Sequence, residues 1–132
     1  MRMLEDLQKP AITHTQLVKY AGASGDFNPI HTVVPVAKEA GLPDVIAHGM
    51  LVMGFAGEAL GKWFPRRALR KWSVRFAKMT VPGEVLTVTG QITGEVEKNG
   101  EVLLVGKVVV KNEQEEVKLK GQFEVVNVEE LL

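Results

Sequence analysis

Gly49-Met50-Leu51-Val52-Met53-Gly54-Phe55-Ala56-Gly57-Glu58-Ala59-Leu60-Gly61-Lys62-Trp63 is the run on which the architecture turns. Glu58 and Lys62 are its only charged residues. The pattern predicts a helix over Gly49–Trp63, stopped by Pro65, which lacks an amide to continue the ladder. A helix that is apolar nearly all round belongs inside a fold.

What surrounds that helix is read from the residues after it. Ser73 to Met79 predicts a strand, ended by the turn Val81-Pro82-Gly83-Glu84. In the next strand Leu86, Val88, Ile92 and Val96 share one face, and Thr87, Thr89, Gln91 and Glu95 the other. Asn99-Gly100 is the strongest short hairpin signal. Val102 to Val110 is almost continuously apolar and predicts a central strand. Asn112-Glu113-Gln114-Glu115 makes the following turn. Val117, Leu119, Phe123 and Val125 then alternate with Lys118, Lys120 and Glu124 to finish the sheet. The expected fold class is α+β, a mostly antiparallel sheet wrapped around one long buried helix.

Upstream of the helix the texture changes. Thr13 caps a short helix through Gln16–Ala21, ended by Gly22 and Gly25. Pro35 suits the first turn of a second short helix, Val36 to Ala40, closed by Gly41. Leu42 to Ala47 reads as extended, because Pro43 disfavours helix at the residue before it.

The 132 residues fit a single domain, 1–132. With 45% apolar residues, such a domain buries roughly two-thirds of its unfolded surface without disulfide staples. There is no cysteine, so thiolate chemistry is excluded. Sixteen basic and sixteen acidic residues balance to zero net charge, which argues against a nucleic-acid binder. No apolar run reaches the ~20 residues that span a bilayer. Met1–Asp6 lacks an apolar signal core, so the expectation is a cytoplasmic protein with no membrane partner.

Chemistry concentrates in Ser24-Gly25-Asp26-Phe27-Asn28-Pro29-Ile30-His31. An acid and an imidazole stand five residues apart, with Gly25 and Pro29 preventing regular structure between them. A rigid turn that aims both groups at one point can hold and polarise a water molecule, the equipment for adding water to a carbon–carbon double bond or removing it. Taken alone, Asp26 reads as an Asx-turn residue, which Gly25 and Asn28-Pro29 accommodate.

Two motifs in order, Tyr20-Ala21-Gly22-Ala23-Ser24-Gly25-Asp26-Phe27-Asn28-Pro29-Ile30-His31 and Ala47-His48-Gly49-Met50-Leu51, resemble the MaoC-like dehydratases. That family includes (R)-specific enoyl-CoA hydratases and (3R)-hydroxyacyl-ACP dehydratases, in its single hot-dog-domain form. The resemblance implies reversible hydration of trans-2-enoyl thioesters to (R)-3-hydroxyacyl thioesters. It implies that Asp26 and His31 are the catalytic pair and that the Gly49 backbone N–H is the oxyanion donor. A glycine opening a helix suits that role, since first-turn amides lack intrahelical partners and face the positive end of the dipole. The chain departs from the family in two places. Thr32-Val33-Val34 replaces an acidic residue that many relatives carry after the histidine, and Gly54 and Gly57 stand where some carry a serine.

Each of the remaining candidates also has a plainer role. Asn28 either orients the loop against substrate or closes a turn, and His48 either faces substrate or bonds to backbone. Gly54, Gly57 and Gly61 each cost about 1 kcal/mol relative to alanine inside a helix. They serve close packing, or they make room for an acyl chain. Arg66, Arg67 and Arg70 form the dense basic cluster, either a solvated connection or an anchor for coenzyme A phosphates or an acidic acyl carrier protein. Asp26, His31 and His48 lack HxxxH or HxH spacing, so no metal is expected, and no cofactor. The implied partners are an acyl-CoA or acyl-ACP substrate and a second hot-dog copy. The simplest case is a homodimer, with a heterodimer containing a non-catalytic subunit as the variant. The competing readings are an acyl-CoA thioesterase on the same fold and a non-catalytic acyl-binding or structural subunit.

Overall fold

The computed structural model describes residues 2–127. Strands β1 (Arg2–Met3) and β2 (Leu7–Gln8) lead into α1 (His14–Ser24) and a 3-10 turn at Pro29–His31. Helices α2 (Val34–Glu39) and α3 (Gly49–Trp63) follow, then a second 3-10 turn at Arg66–Ala68. Strands β3 (Leu69–Phe76), β4 (Thr87–Lys98), β5 (Glu101–Lys111) and β6 (Val117–Val126) complete the order. The six strands form one antiparallel sheet in the order β1-β4-β5-β6-β3, with β2 also on β4. Among the described residues no helix is long and apolar enough to cross a membrane.

The expected hairpin forms at Asn99-Gly100, where both residues take positive φ (51° and 79°) as a tight right-twisting turn requires. β5 is central, paired to β4 on one side and β6 on the other. Its Gly106 is a space requirement. A Cβ there would sit 2.2 Å from the Phe123 ring and 2.7 Å from the Gln91 carbonyl oxygen. Helix α3 adds Val52, Phe55, Ala56, Ala59 and Leu60 to the same core as Val88, Val108, Val110, Leu119 and Phe123.

Five details differ from the sequence expectation. Gly22 lies inside α1, and only Gly25 ends it, at φ 77° with its amide on the Ala21 carbonyl. Helix termination needs one left-handed residue, and a second glycine is tolerated in the last turn. Strand β3 occupies Leu69–Phe76 rather than Ser73–Met79, so Arg70 and Lys71 belong to an edge strand, where charges are usual. Helix α3 has an open face, with Met50 59% exposed and Gly54 and Gly61 exposed. A register shift between Ile92 and Gly94 places Val96 opposite Leu103, whereas Ile92 faces Gly106. The inserted residue reverses the alternation, and Val96 leaves the face of Ile92 for an exposed position. Lys118, read as solvent-facing, is buried at 2% exposure, because the chain from Ala77 to Glu84 covers its face of β6.

Candidate active site

The loop after α1 is built from two consecutive side-chain turns. Asp26 Oδ1 accepts the Asn28 amide (3.2 Å), and Asn28 Oδ1 accepts the Ile30 amide (3.2 Å), capping the Pro29–His31 turn. The Asx-turn role of Asp26 and its candidate chemical role therefore coexist, because a carboxylate has two oxygens. One closes the turn. The other, Oδ2, faces His31 Nε2 at 3.8 Å.

The protons on the imidazoles follow from their partners. His31 Nδ1 lies 2.7 Å from the Ile46 carbonyl oxygen. A carbonyl only accepts, so Nδ1 carries the hydrogen and Nε2 of the neutral ring presents a lone pair toward Asp26. His48 Nε2 donates in the same way to the Asp26 carbonyl at 3.1 Å. The His48 ring stacks on that of His31, centroids 3.8 Å apart and 19° from parallel, and Tyr20 meets His48 edge-on at 4.8 Å. His48 Nδ1 is buried and has no hydrogen-bond partner among the described residues.

Asp26, His48, Gly49, Tyr20 and Phe76 line a cleft of about 370 Å³. His31 lies off its wall, with its side chain 10% exposed and one ring face covered by His48. Gly49 opens α3 at the same cleft, and its amide, like the others of a first helical turn, has no intrahelical acceptor. A Cβ on Gly49 would come within 3.2 Å of the Phe76 ring. One donor atom each from Asp26, His31 and His48 lie within 4.8 Å of one another. The stacked, near-parallel rings nevertheless direct their in-plane lone pairs along separate planes, so one ion cannot lie in both.

Two groups of candidates stand elsewhere. Gly57 and Gly61 line an apolar cavity of about 480 Å³ with Leu60, Phe64 and Trp72. A Cβ on Gly57 would meet Trp72 at 3.2 Å, whereas one on Gly61 or Gly54 would meet nothing within 4 Å. The basic cluster sits at the far end of α3 from Gly49, about 20 Å away at 1.5 Å per residue. Arg66 and Arg67 are exposed on the turn. Arg70 is engaged: its guanidinium forks onto both oxygens of Glu101 at 2.9 Å and donates to the Arg67 carbonyl at 2.6 Å. That pairing raises the Arg70 pKa and holds the Glu101 carboxyl below the usual range. Tyr20, the Ile46 carbonyl and Phe76 are site components that the sequence reading did not single out. Tyr20 opens the quoted motif, but Phe76 carries no local signal.

Residues 4–117 match the family described as MaoC like domain. The fatty acid synthase beta subunit pkiC of Emericella nidulans is 37% identical over 109 residues, which is 80% of this chain and 6% of that protein. The 3-hydroxyacyl-thioester dehydratase X of Mycobacterium tuberculosis is 43% identical over 67 residues, 51% of this chain and 23% of that one. The chain thus spans a small part of these relatives. Among solved structures, the (R)-hydratase from A. caviae involved in PHA biosynthesis superposes with a TM-score of 0.78 over 96% of both chains, at 18% identity. The chain belongs to the MaoC-like domain family. Its sheet and central helix are the hot-dog fold, and its relatives include proteins named as hydratases and dehydratases.

Proposed function

We propose that this protein reversibly hydrates trans-2-enoyl thioesters to (R)-3-hydroxyacyl thioesters, with Asp26 and His31 activating the water and the Gly49 amide holding the thioester oxygen. The observation that carries the reading is the 3.8 Å gap between Asp26 Oδ2 and His31 Nε2, beside the helix tip. The gap is too long for a direct hydrogen bond and short enough for one water to bridge. Both facing atoms are acceptors when His31 is neutral. A bridging water donates one hydrogen to each and turns a lone pair outward, toward C3 of a bound enoyl group. As its oxygen bonds to C3, one of the pair takes a proton, and the same pair returns a proton to C2 on the same face. Charge that gathers on the thioester oxygen meets the Gly49 amide at the positive end of α3. The family supplies the (R) outcome.

The same reading assigns the cavity beside Gly57 and Gly61 to the acyl chain, and Arg67 with Arg66, which stands at the rim of that cavity, to the phosphates or acidic carrier of the thioester bound in a partner copy. Within one copy the arginines and the catalytic cleft lie at opposite ends of α3. Two copies joined through the open edge of β3 by a two-fold axis run their strands antiparallel. That pairing sets the basic turn of one beside the Phe76 end of the other and covers Leu69 and Phe76, 38% and 52% exposed. A homodimer on gel filtration supports this arrangement, and a stable monomer counts against it. The primary test follows loss of the enoyl thioester absorbance with crotonyl-, octenoyl- and dodecenoyl-CoA and with carrier-protein thioesters. Free thiol release from saturated acyl-CoA with no hydration would replace the reading with a thioesterase.

A further inference from the structure

Lys118 is the only buried Lys, Arg, Asp or Glu side chain among the described residues. Its ammonium spends all three hydrogens on named acceptors: the Met79 carbonyl (2.8 Å), Glu116 Oε1 (2.6 Å) and Glu84 Oε1 (2.8 Å). Glu84 in turn accepts from the Val81 amide (2.7 Å) and from Asn112 Nδ2 (2.7 Å). The Lys118 side chain is 1% exposed, whereas Glu116 at the rim is 36% exposed, and a buried ammonium is harder to justify by stability alone than an apolar side chain of the same size.

The geometry of the covering segment gives the cluster another use. Beyond β3 the chain is held to β6 by the Ala77 amide on the Lys118 carbonyl (2.9 Å). The ladder then ends, and Lys118 Nζ and Glu84 fasten Met79 and Val81 instead. Between those two, the Thr80 carbonyl accepts the Ala47 amide at 2.8 Å. Ala47 is two residues before Gly49. The residue before it, Ile46, is tied to the opposite side. Its amide donates to the Ile30 carbonyl (3.1 Å), and its carbonyl holds His31 Nδ1 (2.7 Å). Residues 46–48 are therefore a short extended bridge between the His31 loop and the segment that Lys118 fastens.

We infer that Lys118 is a positioning residue for the oxyanion amide: through Met79, Thr80 and Ala47 it sets where the tip of α3 stands relative to His31. The inference rests on the proposed hydratase reading for its catalytic consequence, but the positional claim is independent of it. Lys118→Met removes the three donors. Lys118→Met/Glu84→Gln also removes the more buried of the two carboxylate charges left behind, so that a folded protein is available if the single variant is not.

The decisive comparison is steady-state hydration of crotonyl-CoA by folded wild type and folded variants, with the amide resonance of Gly49 read by NMR in the same samples. The expected result is a kcat lower by about 10- to 100-fold with KM changed by no more than about twofold, together with a displaced Gly49 resonance. Unchanged kcat and an unchanged Gly49 resonance, with only a lower melting temperature, would overturn the inference and make Lys118 a purely structural residue. Inactive wild type would overturn the functional reading, and the Gly49 resonance would still decide the positioning.

Discussion

The Asp26 carbonyl and the His48 ring are joined by a 3.1 Å hydrogen bond, so the residue beside the helix tip holds the backbone of the residue that faces His31. The same His48 ring lies against His31 at 3.8 Å. Loop and helix tip are thereby one unit. His48→Ala should remove the donor and the stack together and lower kcat by about tenfold. His48→Phe keeps a flat ring without the donor and should recover part of that loss. Equal activity in the two variants would show that the stack contributes nothing.

Asp26→Asn tests the pair with little disturbance of the loop. The amide oxygen still accepts from Asn28, so the turn is retained while the charge facing His31 is removed. Turnover should fall at least about a hundredfold, with the melting temperature nearly unchanged. His31→Ala should cost a similar factor in turnover. Near-normal hydration by either variant refutes the assignment.

The Lys118 cluster predicts a stability profile with two limbs. Burial alone would raise the Glu84 carboxyl, but hydrogen bonds from Lys118, Asn112 and the Val81 amide hold it below its ordinary 4.5. Burial would likewise lower the Lys118 ammonium, but Glu116 and Glu84 hold it above its ordinary 10.5. A depressed carboxylate adds stability above pH 4.5 and loses it as pH falls through the folded value. A raised ammonium adds stability below pH 10.5 and loses it as pH rises through the folded value. The urea midpoint of Glu84→Gln should lie below that of wild type at about pH 7, and the difference should shrink as the pH is lowered below 4.5. A constant difference across that range would mean that the Glu84 charge is irrelevant to stability.

Gly61 offers a test of acyl-chain placement that leaves the catalytic loop untouched. It lines the apolar cavity, and a Cβ there meets nothing within 4 Å, so a larger side chain can be accommodated. Gly61→Phe should lower kcat/KM for dodecenoyl-CoA by about tenfold or more and leave crotonyl-CoA nearly unaffected, the size of effect expected from a filled apolar pocket. Equal effects on both substrates would place the chain elsewhere.

Gly106→Ala probes the core directly. The new methyl would collide with the Phe123 ring at 2.2 Å and with the Gln91 carbonyl oxygen, a backbone atom that cannot rotate away. Overpacking of this kind should destabilise by about 3 kcal/mol, visible as a lower denaturant midpoint with an unchanged slope.

The features legible in the linear chain are those with local causes. Asn99-Gly100 can turn in few other ways, and the run from Val102 to Val110 is too apolar for an edge. Asp26 and His31 stand on one short loop of two consecutive turns, so their nearness has a local cause. Lys118 shows where local reading stops. Alternation with Val117 and Leu119 marks it as solvent-facing, but alternation reports only which side of a strand a residue takes, and the chain from Ala77 to Glu84 folds over that side. The Ile46 carbonyl that sets the His31 tautomer and the His48 ring on its face follow the same rule. Each depends on which segments long-range packing brings into contact, and no spacing within the chain encodes that.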